Sequence, residues 1–278
     1  MERGEETVKH VESPQEAKQD PSYYQALVEL LYQLADDDLL MSFRGSEWLG
    51  LAPHIEADLA FSSITQNTMG HAAMYYQLLD DLGEGDGDLL AHARPANERC
   101  NAIYMEKRNG DGEYWEEPYY DWALAVVRNY FYEAFKKAKL KSVANSSYRP
   151  LVDVAKKVQM EQTYHLAHWK MWIKQLQHST DEGKRRIQER VEEAWTMFKD
   201  VLSLGEQVEL MEGFNLVTGE ESINIDWMQE VADTLIRIPT APLGSVEGHG
   251  RHREHTTDLH HALETMAEVY NSDREAVW

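Results

Sequence analysis

The chain has 278 residues, 42% of them apolar, enough for a substantial core. Its formal net charge of −22 argues against nucleic acid and against anionic membrane surfaces as partners. The single cysteine, Cys100, excludes an internal disulfide framework and a cysteine zinc site, and fits a reducing, cytoplasmic setting.

The opening "MERGEETVKH" lacks a hydrophobic signal region, and no uncharged apolar run is long enough to span a bilayer. Residues 1–21 are polar and charged and read as a flexible N-terminal tail, followed by a single helical domain over 22–278. A first helix is expected over about 22–43, with Leu27, Leu30, Leu31, Leu34, Asp38 and Met41 on one stripe. A second starts near Pro53 and carries Phe61, Ile64, Thr68, His71, Tyr75 and Leu78 in register, stopping at "GEGDGD". A connection over 84–117 holds a short helix around 95–107, and "NGDGE" (109–113) is a turn. A third long helix is expected over 118–144, with Ala123, Val127, Phe131 and Ala134 on its apolar face and Glu133 beside it. The fourth, about 150–178, aligns Leu151, Val158, Gln162, His165, Trp169 and Trp172. A fifth follows the cap-like "STDEG" and runs to about Leu204, a short one lies near 227–236, and a last one covers 255–270.

Two helix pairs joined by a long connection define an all-α fold, a ferritin-like four-helix bundle with additional helices. His71 follows Asp38 by 33 residues, and His165 follows Glu133 by 32, the near-repeat a pseudo-symmetric bundle needs to converge side chains at mid-height. A di-iron carboxylate site of this fold uses four carboxylates and two histidines, with a Glu-x-x-His on each of two helices. Here the matching stretches read Thr68-Met69-Gly70-His71 and Gln162-Thr163-Tyr164-His165, so both bridging carboxylates are missing. Asp38 and Glu133 alone leave two of the four charges of a ferrous pair uncompensated in a low-dielectric interior. Glu161 lies about 100° around the helix from Gln162 and replaces it poorly. The favoured expectation is a structural network in which the acids accept hydrogen bonds from imidazoles, with Tyr75, Tyr130 and Tyr164 adding donors. The competing one is a single metal on Asp38, His71, Glu133 and His165.

Three stretches carry a family resemblance: "ADDDLLMSFRGSEWLGLAPHIEADLAFSSITQNTMGHAAMYYQLLDDLG" (35–83), "MEQTYHLAHWKMWI" (160–173) and "GRHREHTTDLHHALETM" (250–266). They resemble the C-subunit family of bacterial ring-1,2-phenylacetyl-CoA epoxidases, over roughly 23–204 and 250–270. The resemblance implies a complex that epoxidises phenylacetyl-CoA with O₂ and electrons from a reductase. In it a catalytic A subunit holds the di-iron centre, and the C-type partner shares the fold, pairs with A and lacks a complete metal site. Set against the A-subunit pattern, the ligand positions fall at Asp38, Thr68, His71, Glu133, Gln162 and His165. The implied chain is a non-catalytic structural subunit with no cofactor of its own. The alternatives are a metal-binding oxidoreductase with a degenerate site, and a free-standing homodimer.

Five of the twelve histidines, His249, His252, His255, His260 and His261, crowd the C-terminal region. Their His-x-x-His spacing can chelate zinc, but a solvated loop and helix start is the favoured reading; the resemblance implies a third, that "HREH" fixes the last helix to the bundle. His168 reads as a surface or interface residue, and Trp169, Trp172 and Trp195 as core or interface. No phosphate loop or nucleophile elbow is present.

Overall fold

The computed structural model describes residues 10–112, 116–244, 248–273 and 276, so residues 1–9 of the expected tail and the end of the 109–113 turn lie outside the described residues. Among the described residues there is no strand, only two isolated bridges, and the architecture is all-α and ferritin-like. A single turn, α1 (Pro14–Ala17), precedes α2 (Pro21–Ser46), which begins where the Asp20 carboxylate accepts from the N–H groups of Ser22 and Tyr23. α3 (Ile55–Asp81) folds back along α2 and α4 (Gly87–His92) closes over them. The second pair is α5 (Trp122–Val143) and α6 (Arg149–Gln177). α7 (Asp181–Leu202), α8 (Val208–Gly213), α9 (Glu220–Ala232) and α10 (Thr257–Ser272) pack around the two pairs.

The apolar stripes land inside as the helical period requires, and α5 is buried on nearly every side, which makes it the central helix. Aromatic rings fill both ends of the core. Phe61 meets Trp169 edge-on at 4.7 Å near one end, and Phe198 stacks on Trp227 at 4.9 Å near the other. The α2–α3 approach depends on Gly45, where an added Cβ would lie 2.4 Å from Thr65 Oγ1.

Three expectations need correction. The helix around 95–107 is instead two 3₁₀ turns, Ala96–Glu98 and Ile103–Met105. The cause is local: the N–H groups of Cys100, Ala102 and Ile103, which a helix would use internally, donate to Asp36, Asp37 and Asp200 at 2.9, 2.8 and 2.7 Å. The helix placed at 227–236 is α9, which starts earlier, where Glu220 and Glu221 favour a helix N-terminus. From His10 onward the stretch expected to be a mobile tail is docked. Val11 donates to the Ser147 carbonyl at 2.7 Å and accepts from the Arg149 N–H at 3.0 Å, and Ala17 is buried.

Candidate functional site

Asp36, Asp37 and Asp38 are consecutive, buried, and midway along α2. Successive helical residues point about 100° apart, so each carboxylate meets a different set of partners. Asp36 takes Tyr76 Oη at 2.5 Å, the guanidinium of Arg94 and, at 3.5 Å, that of Arg99. Burial pushes its carboxyl up, but the two arginines and the hydrogen bonds more than offset this and hold it below the ordinary range. Asp37 is gripped by Arg251 through two bonds of 2.9 and 2.7 Å. Asp38 turns into the bundle.

At the bundle centre a buried lysine lies between Asp38 and His71. Lys136 Nζ, from α5, is 2.7 and 2.8 Å from the two oxygens of Asp38 and 2.9 Å from His71 Nδ1. Tyr132 Oη, one turn earlier on α5, donates to Asp38 Oδ1 at 2.6 Å. An ammonium only donates, so His71 Nδ1 must be the acceptor and its proton resides on Nε2. That Nε2–H donates to Glu161 Oε2 at 2.8 Å. Burial, then the charges of Lys136 and His165, hold the His71 imidazole down at about 2, so it is neutral. Burial likewise raises the Asp38 carboxyl, with Lys136 and Tyr132 pulling the other way.

The second half of the layer is looser. His165 Nδ1 lies 3.3 Å from Glu133 Oε1, but the angle makes no hydrogen bond, and Glu133 Oε2 and His165 Nδ1 are both buried with no hydrogen-bond partner among the described residues. His165 Nε2 meets Asn67 Nδ2 at 3.3 Å. Thr68 and Gln162 turn onto backbone: Thr68 Oγ1 donates to the Ile64 carbonyl and Gln162 Nε2 to the Glu133 carbonyl, each at 2.8 Å.

The six expected positions thus gather in one layer, with several corrections to the network drawn among them. Asp38 is braced by Lys136 rather than by an imidazole, and His71 braces Glu161, which reaches the layer despite its position around the helix. Of the expected tyrosine donors, Tyr75 Oη has no hydrogen-bond partner among the described residues, Tyr130 donates to the Glu230 carbonyl, and Tyr164 is exposed. The donor is Tyr132. The sequence does not single out Lys136, because lysine in a helix ordinarily marks a solvated face. Its spacing three residues after Glu133, on a helix with apolar residues all round, was the available signal.

A metal pair does not fit these residues. The lone pairs of Asp38 and His71 that would face a cation are already directed at the Lys136 ammonium. Among the described residues no three His, Cys, Asp or Glu side chains converge as a metal-binding group.

The C-terminal histidines divide. The His255 side chain is buried, with Nδ1 2.6 Å from Glu106 Oε1 and Nε2 2.9 Å from the Arg99 carbonyl, so a fully solvated stretch is ruled out. Thr256 adds two further bonds to Glu106 at the start of α10, and His252, His260 and His261 remain exposed. His168 is half-buried against Trp169, and Trp169, Trp172 and Trp195 are core.

The geometry defines a class: a ferritin-like bundle whose central polar layer is bridged by a buried lysine. The sequence matches the family described as phenylacetic acid catabolic protein over residues 8–278. It is similar to the C subunit of 1,2-phenylacetyl-CoA epoxidase of Escherichia coli (strain K12), with 28% identity over 195 residues, 70% of this chain and 72% of that protein. The chain belongs to the phenylacetic acid catabolic protein family, and this membership gives it a role in phenylacetate catabolism. Among the described residues no helix is long and apolar enough to cross a membrane.

Proposed function

We propose that this chain is a non-catalytic, cytoplasmic structural subunit of a phenylacetyl-CoA epoxidase, supporting a catalytic di-iron A subunit and holding no metal of its own. The observation that carries this reading is the Lys136 ammonium bonded to Asp38 and His71. A fixed organic cation supplies the positive charge that a buried acid requires, and it does so without redox chemistry. The similarity to a C-type epoxidase subunit supports the same reading.

The test combines the purified chain with the A subunit of its host. The expected outcome is a stable complex with iron in the A subunit, less than about a tenth of an equivalent of iron in this chain alone, and epoxidation only by the complex. Two equivalents of iron in the isolated chain, or turnover without the A subunit, would overturn it.

A further inference from the structure

Six tryptophans lie among the described residues, and their indole N–H groups divide by place. At one end of the core Trp195 Nε1 donates to the Ala241 carbonyl at 2.7 Å and Trp227 Nε1 to the Phe131 carbonyl at 3.2 Å. At the other end Trp48, Trp122, Trp169 and Trp172 form one cluster. None of their four buried Nε1–H groups meets an acceptor among the described residues, although a buried indole ordinarily finds one. His168 stands edge-on to Trp169 at 4.9 Å without bonding its N–H.

The rings of this cluster are close and continuous. Trp172 and Trp122 meet edge-on at 5.1 Å, Trp122 and Trp48 at 5.2 Å, and Trp48 reaches Tyr120 at 5.5 Å. Trp169 branches from Trp122 at 6.1 Å. One end of the line lies under His54, an exposed side chain stacked on Trp172 at 5.6 Å. The other end is Tyr120, half-buried at the surface.

The bare N–H groups decide what an oxidised ring does here. An indole that loses an electron becomes strongly acidic at its N–H, and a bonded base then removes that proton and traps the electron hole. In this cluster no base is bonded to any of the four groups. An edge-to-face neighbour offers an N–H at most a ring face, which attracts the hydrogen but takes no proton. The oxidised ring therefore stays a strong oxidant and draws an electron from its neighbour. A phenol differs, because it releases its proton together with the electron and so keeps the hole.

We propose that Trp172, Trp122 and Trp48 form a relay that carries an oxidising equivalent from the corner at His54 to Tyr120. The oxidant is a one-electron oxidant at the surface, of the radical kind that partial reduction of O₂ produces. It gains one electron, each indole is oxidised and restored in turn, and Tyr120 loses one electron and gives its phenolic proton to water. A thiol reductant then returns a hydrogen atom to the tyrosyl oxygen. The relay lies wholly in this chain and works with or without a partner subunit.

The test fixes the oxidant at one end. Ile55, beside His54, is 66% exposed, and Cys100 is buried and is the chain's single cysteine. Ile55→Cys in the whole chain therefore takes a thiol-reactive ruthenium photo-oxidant at one place. After a flash and oxidative quenching, transient absorption and electron paramagnetic resonance should show an indole radical cation that gives way to a tyrosyl radical. Tyr120→Phe in the labelled chain should abolish the tyrosyl signal and prolong the indole radical several-fold. Trp48→Phe should slow the tyrosyl rise several-fold. No tyrosyl radical in the labelled parent, an undiminished one in Tyr120→Phe, or an unchanged rise in a folded Trp48→Phe overturns the relay. A neutral indole radical in place of the cation also overturns it, because it shows that a base holds the N–H. If Trp48→Phe does not fold, Tyr120→Phe and the protonation of the indole radical decide the matter.

Discussion

Lys136 Nζ sits within 2.9 Å of both oxygens of Asp38 and of His71 Nδ1, so one ammonium group directs its protons to two residues that would otherwise face a cation from solution. All three side chains are buried to within a few per cent. Removing the ammonium leaves a carboxylate uncompensated in the interior, which typically costs ~3–5 kcal/mol. Lys136→Met should lower the unfolding free energy, read from urea melts at pH 7.5, by that order. Asp38→Asn in the same background should recover a clear part of the loss. Equal midpoints for the single variant and the parent would show that the pair contributes nothing.

Acid should destabilise the fold through His71. In the folded state its affinity for a proton is depressed to about 2, against 6.5 in the unfolded chain. The stabilisation is therefore complete above pH 6.5 and is lost as pH falls below it, at ~1.4 kcal/mol per pH unit for one group. Going from pH 7.5 to 5.5, the parent should lose ~1 kcal/mol more than His71→Gln does, read from urea midpoints. Parallel losses in the two proteins would remove His71 from the account.

Chelation should leave the fold untouched. Because the Lys136 ammonium meets Asp38 and His71, dialysis against EDTA should shift the thermal midpoint by less than a degree. A drop of several degrees, reversed by ferrous iron, would contradict the lysine-bridged layer.

The C-terminal helix should depend on Arg251. Its guanidinium is fully buried against Asp37, and burial is outweighed by that carboxylate, so its proton affinity is raised. Arg251→Met should cost ~3–5 kcal/mol. Hydrogen exchange should show α10 and residues 100–106 losing protection together, since Glu106 also holds His255 and Thr256. Loss confined to α10 would show that the two regions are not coupled.

Much of this was legible in the sequence. Asp38, Thr68, His71, Glu133, Gln162 and His165 sit on or beside apolar stripes, and a 3.6-residue period brings such stripes to one axis. Lys136 was not legible, because the same residue type covers the outside of most helices, and only the full burial of α5 reverses the reading. The three aspartates of "ADDDLL" look alike in the sequence, yet they meet Arg94, Arg251 and Lys136, partners that lie as far as 214 residues away. A sequence window sees periodicity, but not which distant cation will answer a buried acid. The docking of Val11 beside Tyr148 was hidden for a similar reason: backbone bonds leave no mark on residue type.

The grip of Arg251 on Asp37 also orders events during synthesis. Residue 37 leaves the ribosome long before residue 251, and domains begin to collapse as the chain emerges. Until the late arginine arrives, Asp37 has the Ala102 N–H but not its cation. Nascent chains arrested before position 251 should therefore be protease-sensitive around the second aspartate, and release past it should seal the bundle like a final stitch.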